Sequence, residues 1–145
     1  MISATEIEKW WERFSVRHPQ DAKKFERIYK ETWHKFQALY PDILPFQGML
    51  ADDEESSCWG AYNPELKKIR IWYNGFLASP SHVENTILHE LTHAYLFQTR
   101  TEKYNGHGAN FWSTFKPLNK YLLTADKYRE RFKRRMESLK RGELD

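Results

Sequence analysis

The chain has 145 residues, 40% of them apolar and 30% charged, with a formal net charge of +3. That is enough chain for one modest core, and the balance excludes a disordered or bilayer-embedded protein. A single cysteine, Cys58, excludes both an internal disulfide and a four-cysteine zinc cage, and the mild positive charge permits contact with nucleic acid without demanding it.

At the N-terminus no basic region precedes an apolar run, so no secretory signal is expected and the default location is cytoplasmic. Ser3-x-x-Glu6 has the form of a capping box. After it Ile7, Trp10, Trp11 and Phe14 recur on one helical face, and His18-Pro19 should end the helix. A second helix is predicted from about Asp21, carrying Phe25, Tyr29, Phe36 and Leu39 inward and stopping before Pro41. From Leu44 to Phe76 the punctuation changes. Gly48, Asp52-Asp53, Ser56-Ser57 and Asn63-Pro64 read as turns. Cys58 to Tyr62 and Lys68 to Tyr73 read as strands, the second with Ile69 and Ile71 on one face, which predicts two or three antiparallel strands.

Ser79-Pro80-Ser81 then opens a third helix, with Ser81-x-x-Glu84 as a second candidate capping box. Val83, Ile87, Leu88, Leu91, Ala94 and Tyr95 form its apolar side, and it should reach about Thr99. A polar loop follows, and a fourth helix is predicted from about Gly108 through Leu118, kinked at Pro117. The last segment, Thr124 to Leu139, sets Tyr128, Phe132, Met136 and Leu139 along one stripe of a basic helix. The expected organisation is one α+β domain over residues 1–145. Residues 1–43 supply N-terminal helices, 44–121 a small antiparallel sheet and metal-binding core, and 122–145 the basic C-terminal helix.

His89-Glu90-Leu91-Thr92-His93 carries the chemistry. This H-E-x-x-H spacing is a standard example of a metalloprotease helix. Residues i and i+4 lie one above the other, so both imidazoles reach one ion, while the glutamate beside them is placed to take a proton from water. With six histidines in the chain, chance placement gives the pattern on the order of once in fifty such sequences. A catalytic zinc needs a third protein ligand and an open position. The metzincin continuation would place glycine and histidine where Leu96 and Thr99 stand, so that class is excluded. Glu130 and Glu137 are candidates, but both sit in the basic segment and read as solvated charges. His107 fits better, following a short loop and preceding a helix that can fold back on the first. His18, His34 and His82 lack ligand spacing, and Cys58 reads as a packed thiol.

His89-Glu90-Leu91-Thr92-His93-Ala94 together with His107-Gly108-Ala109-Asn110-Phe111 resembles the SprT-like zinc metallopeptidases, which include the Spartan proteases acting on DNA-crosslinked proteins. The likeness runs loosely from Trp59 to Leu118, including the Gly60-Ala61-Tyr62 and Ile69-Arg70-Ile71 strands. It implies a zincin-like domain with an H-E-x-x-H active-site helix. In it His89, His93 and His107 would hold one catalytic zinc (Zn2+) and Glu90 would be the general base of an endopeptidase. With Cys58 the one cysteine in these residues, the cysteine-rich zinc ribbon of many members is not expected here, nor is their long partner-recruiting tail. DNA targeting through those appendages is therefore not expected. The expected partner is a protein substrate, with a monomer and no membrane contact. DNA is a candidate partner through the basic helix from Lys127 to Arg141, whose other reading is a solvated face balanced partly by Glu130 and Glu137. Tyr62, Arg70 and Tyr104 are oxyanion-stabilising candidates that the sequence does not place. The rival reading keeps the zinc as a staple in a nucleic-acid- or protein-binding module without peptidase activity.

Overall fold

A computed structural model of the chain describes residues 3–51, 60–78, 80–99 and 108–121. The first helix, α1 (Ala4–Arg17), starts where the Ser3 hydroxyl accepts from the Glu6 amide at 3.2 Å. That satisfies one of the backbone donors a helix start leaves orphaned. Its Ile7 and Phe14 are buried. The second helix, α2 (Pro19–Leu39), begins two residues earlier than the sequence suggests, because Pro19 occupies its first position rather than blocking it. A proline there loses no hydrogen bond and arrives with a helical φ. Phe25 and Phe36 are wholly buried, and Tyr29 and Leu39 pack against the same core.

Three strands follow, β1 (Gln47–Ala51), β2 (Gly60–Asn63) and β3 (Lys68–Trp72), in the sheet order β1-β3-β2. Here the expectation of an antiparallel sheet needs correcting. β2 and β3 do form an antiparallel hairpin, with Tyr62 opposite Ile69, but β1 runs parallel to β3, with Gly48 opposite Ile69. Period-two alternation identifies a strand, but not its partner or direction, so the mixed sheet was invisible in the pattern. The hairpin turn is the one read at Asn63-Pro64. The Asn63 side chain accepts from the Leu66 amide at 3.0 Å, and Lys67 takes a left-handed φ of 55°.

Gly48 is a second correction. It lies inside β1 rather than in a turn. A Cβ there would fall 2.3 Å from Tyr29 Cδ2, so the missing side chain is what lets α2 lie against the strand. The predicted turns at 52–53 and 56–57 lie outside the described residues, as do Cys58 and the predicted basic helix.

After β3 a short helix the sequence did not announce, α3 (Tyr73–Ala78), leads to α4 (Pro80–Gln98). Pro80 is already helical, so Ser81 stands within the first turn and is not the cap. Glu84 meets Lys35 of α2 at 3.5 Å. α4 is the central element, packed against α2, α3, β2, β3 and α5 (Ala109–Phe115). Pro117 does more than kink the fourth predicted helix. It ends α5, and the chain continues as a 3-10 helix over Lys116–Tyr121. Proline lacks the donor that a further α-turn needs. The result is an α+β fold in which Val83, Ile87, Leu88, Leu91 and Ala94 of α4 meet Ile69 and Ile71 of the sheet and Phe111, Phe115 and Leu118 beyond it.

Candidate metal centre

On α4 the one-turn spacing does what the sequence predicts, bringing His89 and His93 together. Their Nε2 atoms lie 3.2 Å apart, and the rings meet edge to face at 4.9 Å. Two nitrogens bound tetrahedrally at the usual zinc distance are separated by about 3.3 Å. The pair therefore has the spacing of neighbouring ligands. The same distance suits a hydrogen bond between opposite tautomers, so the two rings can share either a proton or a cation.

The setting is mostly apolar. His93 is only 3% exposed and Glu90 only 9%. Glu90 follows His89 by one residue and so leaves the helix about 100° further round. Its carboxylate is thus largely withdrawn from bulk water on the core helix. Thr92, also buried, turns its hydroxyl back to the Leu88 carbonyl at 2.8 Å and so needs no partner from the site.

Two elements wall the histidines. From β2, the Tyr62 ring stacks on His93 at 5.6 Å with 9° between planes. β2 comes this close because Gly60 has no side chain, since a Cβ there would lie 3.1 Å from Thr86 Cγ2 of α4. From α5, Phe111 is fully buried with its ring 4.9 Å from His89 and 4.7 Å from His93. Phe115 stacks behind Phe111 at 5.6 Å. The aromatic spacing of α5 thus locks its first turn onto the histidine pair, with Gly108 as the N-cap.

His107 lies outside the described residues. In the sequence it immediately precedes Gly108, the N-cap of α5. Among the described residues no three His, Cys, Asp or Glu side chains are grouped to hold a metal ion. The other third-ligand candidates, Glu130 and Glu137, and the oxyanion candidate Tyr104 also lie outside them. The remaining two oxyanion candidates separate cleanly. Tyr62 shares a sheet face with Ile69 and reaches His93. Arg70, next along β3, points to the opposite face, where its guanidinium lies over Trp10 and Trp72 at 5.5 and 5.3 Å. Arg70 is not positioned to act at the histidines. His18 packs between Phe14 and Tyr73, and His34 is exposed on α2.

A strap outside the site fixes α4 relative to α5. The Tyr40 hydroxyl donates to the Thr114 carbonyl at 2.6 Å and its ring meets Tyr95 of α4 at 4.8 Å. Tyr95 donates to Asp42 Oδ1 at 2.9 Å, and Gln98 bonds both the Asp42 carbonyl and the Leu44 amide at 2.8 Å. Burial raises the Tyr40 phenol above its usual range, and does the same for Tyr95, helped by the Asp42 carboxylate. Sequence reading missed this strap, the stacking of Tyr62 and the role of Phe111. Only the paired H-E-L-T-H-A and H-G-x-x-F motifs hinted at the last.

A family model described as the SprT-like family matches residues 46–140. It spans β1 through α5 and leaves α1 and α2 outside. No curated protein and no solved structure matches the chain. No helix among the described residues is long and apolar enough to cross a membrane.

Proposed function

Because this chain belongs to the SprT-like family, we propose that it is a zinc-dependent metallopeptidase in which His89, His93 and His107 hold the ion and Glu90 is the general base. The family carries the metalloprotease context and the association with zinc. The single observation that supports the finer reading is the convergence of two Nε2 atoms to 3.2 Å beside a buried glutamate.

A zinc ion bound by these residues would supply a Lewis acid that polarises a peptide carbonyl and makes water acidic near neutral pH. The chain's own part is positional and protonic. Tyr62 stacks on His93 and Phe111 packs against both imidazoles, limiting their rotation. The Glu90 carboxylate accepts a proton from the attacking water and returns it to the leaving amine. The substrate class is protein, DNA-associated or DNA-crosslinked as the family resemblance implies. The basic segment from Lys127 to Arg141 is the proposed DNA contact, and the enzyme works as a cytoplasmic monomer.

Metal stripping and reloading tests the ligand set. Wild type should take up one zinc per chain, with an affinity that His107→Ala and His89→Ala each weaken by more than about a hundredfold, beyond what losing a supporting group costs. Unchanged affinity in His107→Ala would sink the three-histidine assignment. One tightly held zinc with no proteolysis would favour a zinc-stapled binding module instead.

A further inference from the structure

At the C-terminal end of α4, three segments far apart in sequence meet. Tyr40, the C-cap of α2, donates its hydroxyl to the Thr114 carbonyl of α5 at 2.6 Å. That carbonyl lies in the last turn of α5, where helix carbonyls run out of backbone donors. Pro117, three residues further on, has no N–H to offer it as the chain tightens into the 3-10 helix. The Tyr40 ring packs against Phe36 at 5.0 Å and Tyr95 at 4.8 Å, which limits the directions its hydroxyl can take. Two residues on, Asp42 engages α4. Its carboxylate accepts from Tyr95 at 2.9 Å and its carbonyl from Gln98 at 2.8 Å. Segment 40–42 therefore holds both α4, which carries the histidine pair, and α5, which packs on it. It precedes the family-matched residues 46–140, so this grip comes from the N-terminal part of the chain.

We propose that Tyr40 is a positioning residue of the metal centre: by clasping α5 it sets how often that helix lifts from the histidine pair, and so how fast a bound ion escapes. The proposal rests on the reading above, in which His107, the residue before the α5 N-cap in sequence, is the third ligand. α5 has seven residues, well short of the length at which a helix stands alone, so its docking depends on tertiary contacts. Phe111 supplies one of them at the histidines, and Tyr40 supplies another toward the opposite end. An ion left with α4 alone keeps two histidines as protein ligands, one fewer than a catalytic zinc requires. Short elements of this kind open locally without global unfolding, and one hydrogen bond shifts such an opening equilibrium by about fivefold.

Two rates test this on the whole chain. One is zinc release from loaded protein into an excess of a chromophoric chelator. The other is amide hydrogen exchange in metal-stripped protein at Trp112 and Lys116, whose amides donate to the Gly108 and Trp112 carbonyls within α5. Tyr40→Phe keeps the ring and loses the hydroxyl. It should speed both rates about fivefold. Tyr29→Phe is the matched control. It too removes a phenol on α2 that donates to a main-chain carbonyl at 2.6 Å, but that carbonyl belongs to Phe46, ahead of β1, and not to α5. It should leave both rates within about twofold of wild type.

His107→Ala separates the clasp from the ligand set it rests on. Faster release in His107→Ala, with wild-type release in Tyr40→Phe, would overturn the clasp and leave the ligand set standing. Wild-type release in His107→Ala would instead remove the third ligand, and with it the link between Tyr40 and the ion. Unchanged exchange across α5 in Tyr40→Phe, or equal acceleration in Tyr29→Phe, would overturn the clasp under either ligand set.

Discussion

Replacing Phe111 with alanine tests whether one ring holds α5 on the histidine pair. The ring is fully buried and touches aromatic neighbours on every side the structure describes, with His89 at 4.9 Å, His93 at 4.7 Å, Trp112 at 5.1 Å and Phe115 at 5.6 Å. Removing a buried phenyl group costs about 3–5 kcal/mol, with the spread set by how far the surroundings collapse. Collapse is hindered here. The histidines ride on the central helix, and Tyr40 anchors the far end of α5 through the Thr114 carbonyl. The loss should therefore be about 4 kcal/mol, a large part of a typical domain's stability. With a urea dependence of about 2 kcal/mol per molar, the midpoint should fall by roughly 2 M. The assay is urea unfolding followed by far-UV circular dichroism on metal-stripped protein, so that ligand linkage does not enter. A fall of less than about 0.5 M, or roughly 1 kcal/mol, would refute the claim that this ring holds the two helices together.

Gly48→Ala should destabilise by about 1–3 kcal/mol in the same assay, since its Cβ would meet the Tyr29 ring at 2.3 Å. A neutral result would mean α2 does not bear on β1 as described. Tyr40→Phe removes a hydroxyl donated to the Thr114 carbonyl and should cost about 1 kcal/mol, read as a small shift of the urea midpoint. Tyr29 tests the core electrostatically. Its hydroxyl donates to the Phe46 carbonyl at 2.6 Å, and burial holds the phenol above its ordinary value. Because the folded group keeps its proton where the unfolded one loses it, its contribution is intact below a pH of about 10 and declines as pH rises beyond that. Tyr29→Phe should flatten that alkaline decline in denaturant titrations, and an equally steep decline would refute the assignment.

What the sequence revealed and what it hid follow from the range of the interactions involved. The helices bearing Ile7, Phe25, Ile87 and Leu88 were legible, because amphipathic periodicity and caps such as Ser3 are local. The histidine pair was legible for the same reason, His89 and His93 lying one turn apart on one helix. The parallel pairing of β1 with β3 was hidden, because it joins residues about twenty positions apart and leaves no mark on either strand. Gly48 was misread as a turn because glycine signals flexibility locally, whereas here the reason is the Tyr29 ring of a distant helix. Arg70 was an oxyanion candidate only as a polar donor that the sequence could not place, and the alternation along β3 sends it to the face away from the histidines. The strap through Tyr40, Asp42 and Tyr95 joins segments more than fifty residues apart in sequence, beyond the reach of any local pattern.

The most direct test of the central claim compares wild type with Glu90→Gln, both loaded with zinc to one ion per chain, for cleavage of a DNA-binding protein with and without single-stranded DNA. The account predicts cleavage by wild type and none by Glu90→Gln at equal zinc content. Equal cleavage by the two proteins, or none by either, would contradict it.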